Sequence, residues 1–448
     1  MSDIEFFDLA FGDLSFLLGC MTLVMAIFYL SIRKKTIAGY LDPFHFYWTF
    51  TMGSAYGIVF FMYLAGKIET YLLLVLVSYC FAFICVFSFF YGRVFWFSRA
   101  TKLLLVPPGK GRSEFAIIII LYTLLAAFLI INVGFGSSAE TNRFEQNRGF
   151  GAFVRVADGF RLFVIAYLTL WIVRRVRSKN INLVTISMVV VLLVDIIVSS
   201  FLNGAKFAIL ESIYAVILVL FFAQFKVRLS VTKLFVLGTA VLLFAGYILT
   251  RNLENSGVDA TERGVYMPDS SVLVERLVLR VFANADKYYF SLPNNVIERL
   301  ETDSFFLQML SPLVGVTTLS KAVGHQVNDY TVGRQTLLYW YPSFDVAGGP
   351  TSHYDLFSYK YLGYFGGLLF VMVLSFFLCS ISTMSKVPGS DFYYALAATF
   401  WLRALPMLLE PAVGLSYVLD IFILFFVIKV FGLILRIFSQ RGIVCVKE

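Results

Sequence analysis

The sequence predicts an all-α polytopic integral membrane protein, and three observations predict it. The chain is 59% hydrophobic and only 14% charged over 448 residues, with a mean hydropathy of +0.82. A soluble core of this size cannot absorb that much apolar surface. The apolar residues fall into about eleven separate runs, each near the ~20 residues that a helix needs to cross a bilayer. Basic clusters follow alternate runs, as expected of loops that fix membrane orientation.

The runs lie near 14–31, 45–65, 69–92, 114–133, 159–173, 181–202, 207–225, 234–250, 361–383, 391–410 and 415–436. "RKK" (Arg33 to Lys35), "RATK" with "GKGR" (Arg99 to Arg112), "RRVRSK" (Arg174 to Lys179) and "KVR" (Lys226 to Arg228) share one side if each run crosses once. Assigning that side to the cytoplasm gives an external N-terminus and a cytoplasmic C-terminus. The N-terminal "MSDIEFFDLAFGD" is acidic, unlike the basic start of a cleavable signal, so the first run reads as a retained span. The net charge of +8 is then mostly loop charge that sets topology, and no nucleic-acid partner is implied.

Three regions follow: a membrane bundle over 1–250, a large external loop over 251–360, and a second bundle with a short tail over 361–448. A structureless loop of on the order of 100 residues is unusual, so this one is expected to be partly folded and functional. It holds about nine basic against about twelve acidic residues, so any anion site in it needs positioned side chains. "SSVLVERLVLRVFANADKYYF" (Ser270 to Phe290) reads as one amphipathic helix, with Arg276, Arg280 and Lys287 on one face. A smaller Gly-rich external loop spans Gly136 to Gly159. No internal repeat is visible, unlike transporters built from duplicated halves.

Several chemistries are excluded or unsupported. The five cysteines lack C-x-x-C spacing, no H-E-x-x-H is present, and "PPGKGR" (Pro107 to Arg112) lacks the Walker A spacing. No metal or cofactor is expected. The first external loop, "KIET" (Lys67 to Thr70), is too short for an acidic metal-binding catalytic loop.

The candidate residues sit at the outer side. His353, in "AGGPTSHYDLFSYKYLGYFGG", follows a Gly-Gly-Pro turn and precedes a glycine-bearing span, with Asp355 as a local partner. An imidazole there suits proton acceptance from a hydroxyl near neutral pH; a packing role is the alternative. Lys206 lies in a hairpin, "SSFLNGAKFAILES", where it either snorkels or holds an anion. Arg251, Arg276, Arg280 and Arg334 offer guanidinium forks that suit phosphate oxygens, or else pair with nearby acids such as Glu275. Arg403 and Glu410, seven residues apart around Pro406, line one cavity or bridge each other. Asp195, within an apolar run, faces a wet cavity or hydrogen-bonds a neighbouring helix. Tyr339, Trp340 and Tyr341 offer faces on which sugars stack.

The late external loop, the short "NGAK" hairpin and "GGPTSHYDLFSYKYLGYFGG" together resemble the Wzy-type O-antigen (oligosaccharide repeat-unit) polymerases. These share the type B GT-C superfamily of membrane glycosyltransferases with the WaaL-type O-antigen ligases. Where relatives often carry Gly-x-Arg, this chain has Gly204-Ala205-Lys206, and Tyr354 stands in the small polar slot that follows the ligase histidine. The resemblance implies metal-independent glycosyl transfer at the periplasmic face of a bacterial inner membrane. It implies undecaprenyl-diphosphate-linked oligosaccharides as donor and acceptor, and a chain-length regulator as protein partner. His353 would assist the acceptor hydroxyl. Lys206, Arg276, Arg280 and Arg334, joined by Arg251 and Arg403, would hold the diphosphate. A ligase is the nearest alternative. A lipid-linked oligosaccharide flippase fits less well, because it would have short external loops and repeated halves.

Overall fold

In lipid, each backbone amide must find its partner within its own segment or a closed barrel, so apolar runs of span length fold as helices. The computed structural model shows that outcome throughout. It describes residues 1–108, 111–134, 149–202, 208–225, 261–345 and 348–444, with Thr239, Gly246, Thr250, Leu253 and Asp259. Among the described residues there is no strand, only an isolated bridge between Arg263 and Ser271.

The helices are α1 (Asp3–Gly12), α2 (Leu14–Ile32), α3 (Gly53–Leu64), α4 (Thr70–Phe90), α5 (Trp96–Leu104), α6 (Arg112–Asn132), α7 (Gly151–Arg177), α8 (Leu183–Leu202) and α9 (Ala208–Phe222). The large loop holds α10 (Val272–Phe282), α11 (Asp286–Ser291), α12 (Val296–Arg299), α13 (Phe305–Val314), α14 (Val316–Val323) and α15 (Val332–Trp340). The chain closes with α16 (Tyr354–Ser382), α17 (Asp391–Ala404) and α18 (Pro411–Val444). Six of the described helices, α2, α4, α6, α7, α16 and α18, are long and apolar enough to cross a membrane. The expected span at 45–65 folds as a π-helical turn, His45–Met52, running into α3. The expected span at 234–250 lies outside the described residues, apart from three isolated positions.

The two membrane regions pack as one bundle. α16 runs along α4, and α17 packs against α7 and α9. α16 is two helices joined at Gly363, whose backbone (φ +64, ψ −170) only glycine adopts without strain. The Tyr79 hydroxyl donates to the carbonyls of Gly363 and Tyr364, at 2.8 Å each, which satisfies acceptors freed by the break. α8 stands at the rim and exposes Leu183, Ile186, Val190, Leu193 and Ile197, as a lipid-facing helix does.

α1 lies on the large loop. Phe6 stacks on Tyr289 with ring centroids 4.1 Å apart, and the Tyr341 hydroxyl donates to Asp3. The N-terminal helix and the loop therefore share one end of the bundle. Basic residues gather at other helix ends: Arg174, in the last turn of α7, pairs with Asp391 at 2.5 Å, and Arg436 of α18 pairs with the buried Glu114 in the first turn of α6 at 2.5 Å.

Candidate functional site

The segment 348–353 approaches α16 under tight control. Gly333 lies beneath it: a Cβ there would sit 1.8 Å from the Pro350 carbonyl oxygen, so no larger residue fits without shifting the backbone. Beside it, Arg334 donates from its two terminal nitrogens to the carbonyls of Gly348 (2.9 Å) and Phe344 (2.7 Å), and its Nε lies 3.3 Å from Asp329. Next, the Ser352 amide and hydroxyl both donate to Glu410, at 3.0 and 2.9 Å. The His353 amide donates to the Leu409 carbonyl at 2.8 Å. These contacts hold His353 at φ +52, a left-handed conformation that costs a non-glycine residue on the order of 1–3 kcal/mol.

The His353 ring is fully buried. Its Nε2 lies 3.0 Å from Lys287 Nζ, and its Nδ1 lies 3.0 Å from the Tyr288 hydroxyl. An ammonium has only donors, so Nε2 is the accepting nitrogen and Nδ1 carries the ring proton. The Tyr288 oxygen accepts from Nδ1–H, and its own proton goes to Asp355 Oδ2 at 2.7 Å. Tyr56 of α3 donates to that same oxygen at 2.6 Å. The Lys287 ammonium also donates to the Asn284 carbonyl (2.7 Å) and faces Asp286 (3.2 Å). The result is a closed chain, Lys287–His353–Tyr288–Asp355, drawn from the loop and from the first turn of α16. Burial, together with the adjacent Lys287 charge, holds the His353 imidazole well below its ordinary range, so the ring is neutral at pH 7. With its Nδ1 proton directed through a tyrosine to a carboxylate, the ring keeps one tautomer and presents Nε2 as the accepting nitrogen of a neutral base, whose protonation becomes favourable only once the Lys287 ammonium leaves it.

This arrangement corrects several expectations. Asp355 makes no direct hydrogen bond to His353; the Tyr288 hydroxyl links them. The expected single helix over 270–290 is broken at a 3-10 turn, Ala283–Ala285. That turn rotates Lys287 inward, away from Arg276 and Arg280, which stay exposed with no hydrogen bond or ion pair among the described residues. Glu275, the expected partner for an arginine, instead accepts from the Tyr266 and Met267 amides at 2.7 and 2.9 Å. Arg334 spends both ends of its fork on main-chain carbonyls, so it positions the His353 segment. Arg403 and Glu410 part company: the 3-10 turn Leu405–Leu408 around Pro406 rotates them onto different faces. Trp340 donates its indole N–H to the Phe290 carbonyl at 2.9 Å, and Tyr341 is tied to Asp3, so of the three aromatic candidates Tyr339 alone is exposed. Lys206 and Arg251 lie outside the described residues.

A second polar cluster lies among α7, α9, α17 and α18. Arg161, fully buried, pairs with Glu211 at 2.6 Å and Asp158 at 3.4 Å. Arg403 approaches Asp158 at 4.0 Å, donates to the Arg155 carbonyl at 3.2 Å, and lies 3.8 Å over the Tyr417 ring. Arg155 pairs with Asp420 at 2.9 Å. Charges inside a bundle are retained for a reason, and these balance one another. Asp195 accepts from Tyr122 at 2.8 Å, which ties α8 to α6. Arg403 lies six residues before Leu409, roughly 10 Å along the backbone from the carbonyl that holds His353.

Sequence reasoning named His353, Asp355, Arg403 and Glu410 but missed Lys287 as their partner, and Tyr288, Tyr56, Arg155 and Arg161 altogether. "RVADGFR" (Arg155 to Arg161) did carry a signal: acid and base three residues apart at the mouth of an apolar run. The helix starts at Gly151, well before the expected 159, and so draws these charges into the bundle.

Fold and site together define a polytopic α-helical membrane protein with a buried lysine–histidine–tyrosine–carboxylate chain at one end of its bundle. No family model, curated protein or solved structure matches the chain.

Proposed function

We propose that this protein is a membrane glycosyltransferase that polymerises lipid-diphosphate-linked oligosaccharide repeat units at the outer face of a bacterial inner membrane. The observation that carries the reading is the neutral, buried His353, held between a cation and a tyrosine-linked carboxylate where the large loop meets a span. Both partners of the reaction are amphiphiles, undecaprenyl-diphosphate-linked glycans, and a centre at the loop–span junction is where such headgroups and tails divide. The shared end of α1 and the large loop, with basic residues such as Arg174 and Lys102 in the last turns of α7 and α5 and Arg436 against the first turn of α6, supports an external loop and N-terminus with a cytoplasmic C-terminus.

The reaction follows from the groups present. An acceptor hydroxyl displaces Lys287 from His353 Nε2 and gives its proton to that nitrogen. Its oxygen forms the new bond to the donor's anomeric carbon as the bond to the diphosphate breaks. The leaving diphosphate keeps the electron pair, and the freed Lys287 ammonium meets its growing charge. Asp355, through Tyr288, stabilises the imidazolium. Charge that builds on the leaving group is where fixed cations lower the barrier most. Arg403, with Arg155 and Arg161, supplies further cations if the anion exchanges with Asp158 or Asp420. Lys206 and Arg251 remain candidates of the same kind, and Tyr339 is the exposed ring for a sugar face. A direct displacement inverts the anomeric carbon. A chain-length regulator is the expected protein partner.

The test is the lipopolysaccharide banding of a strain lacking the gene. The wild-type gene should restore the ladder, whereas His353→Ala and Lys287→Met should leave a single repeat on the core. Arg280→Ala should keep the ladder, because that side chain is exposed and makes no hydrogen bond or ion pair with the His353 centre among the described residues. Wild-type ladders from both inner variants would remove the site, and complete loss of capping in the deletion strain would make the protein a ligase.

A further inference from the structure

The part of the loop that least resembles a soluble segment is α13 with α14. α13, "FFLQMLSPLV", carries no charge, and its polarity is inverted. Its polar side chains, Gln308 and Ser311, are buried; Gln308 donates to the Val327 carbonyl at 3.2 Å. Its exposed positions are Phe306 (74%), Leu310 (49%) and Val314 (52%), one stripe at four-residue spacing. A helix in water presents the reverse pattern.

The stripe is continuous with surface that the fold already gives to lipid. α16 exposes Phe365, Leu369 and Val373 at the same spacing. Phe305, adjacent to Phe306, lies with its ring centroid 5.7 Å from Phe370, next to Leu369. Phe370 is six residues past Tyr364, the first residue after the Gly363 break, so this contact lies about 9 Å along the second part of α16, within a helix long and apolar enough to cross the membrane. α13 also packs against α18. Beyond it, α14 exposes Lys321, the placement expected of a side chain that reaches a lipid headgroup.

We infer that α13 is an interfacial helix of the large loop that lies in the adjacent leaflet, with Phe306, Leu310 and Val314 against the acyl chains of membrane phospholipid. The loop is then anchored to the bilayer at this point rather than standing wholly in water. This does not depend on sugar transfer, and it would hold for any activity of the protein.

The test uses the full chain in the membrane. p-Benzoylphenylalanine incorporated at Leu310 and irradiated should give phospholipid adducts by mass spectrometry. Phe365 serves as the lipid-facing reference and Asp269, exposed on the same loop, as the aqueous one. A second measurement uses nitroxide labels at Phe306→Cys and Leu310→Cys, in purified protein reconstituted in phosphatidylethanolamine–phosphatidylglycerol vesicles. Collisions with oxygen should exceed those with a nickel chelate severalfold, as at Phe365→Cys and opposite to Asp269→Cys. Nickel-dominated collisions, or adducts only to another protein or a second copy of this chain, would overturn the inference.

Discussion

Acidification below pH 6.5 should destabilise this protein through His353. The ring is fully buried and neutral, and both its burial and the ammonium of Lys287, 3.0 Å from Nε2, oppose a second proton. In the unfolded chain the same ring titrates near its ordinary value of about 6.5. Between that value and the depressed folded one, the unfolded chain binds the extra proton and the folded protein does not. The stability is therefore fully present above pH 6.5 and is lost as pH falls toward the folded value, by about 1.4 kcal/mol per unit. At pH 5.5 the loss is about 1.4 kcal/mol, a midpoint shift on the order of 2 °C. His353→Gln removes the titration while keeping a polar side chain. Thermal unfolding of both proteins in detergent from pH 5.0 to 8.0 should show the wild type losing this increment relative to the variant. Parallel curves would mean that the ring binds its proton equally well folded and unfolded, as a ring open to water does, and a wild type that gains on acidification would mean that the ring is protonated in the fold; either would refute the assigned tautomer and the placement of Lys287.

Three other perturbations separate parts of the account. Tyr288→Phe keeps the edge-on packing against His353 but cuts the link to Asp355; steady-state kinetics should show kcat down about a hundredfold with KM little changed. Gly333→Ala forces the Pro350 carbonyl to move and so displaces His353. Transfer should fall at least tenfold while insertion and detergent behaviour, followed by size-exclusion profile, stay normal. Glu211→Gln leaves Arg161 short of a charge partner inside the bundle, which should lower stability by about 3 kcal/mol and show as reduced yield and an earlier thermal transition.

The spans were legible because lipid imposes length and composition on each apolar run, and helices occupy every expected span among the described residues. Boundaries failed where charge entered the bundle: Arg155 and Asp158 read as loop, yet they are helical because Arg161, Glu211 and Asp420 neutralise them. His353 was legible from the turn before it and the glycine-bearing span after it. Lys287 was not, for two reasons. Its contact with His353 joins residues far apart in sequence, and the break at Ala283–Ala285 carries no proline or glycine to announce it. Arg334 was read as ligand-facing from residue type alone, whereas its guanidinium is consumed by the carbonyls of Phe344 and Gly348. Residue type indicates what a side chain can bind, and the neighbours supplied by the fold decide what it does bind.

The central claim is that the Lys287–His353–Tyr288–Asp355 chain transfers glycans between lipid diphosphates. The most direct measurement is product formation by the purified protein in proteoliposomes given one lipid-linked repeat unit and no nucleotide sugar. The wild type should yield a ladder of longer lipid-linked chains, and His353→Ala and Lys287→Met should yield none while retaining their fold. A wild type that leaves the unit unextended, or variants that extend it at the wild-type rate, would contradict the account.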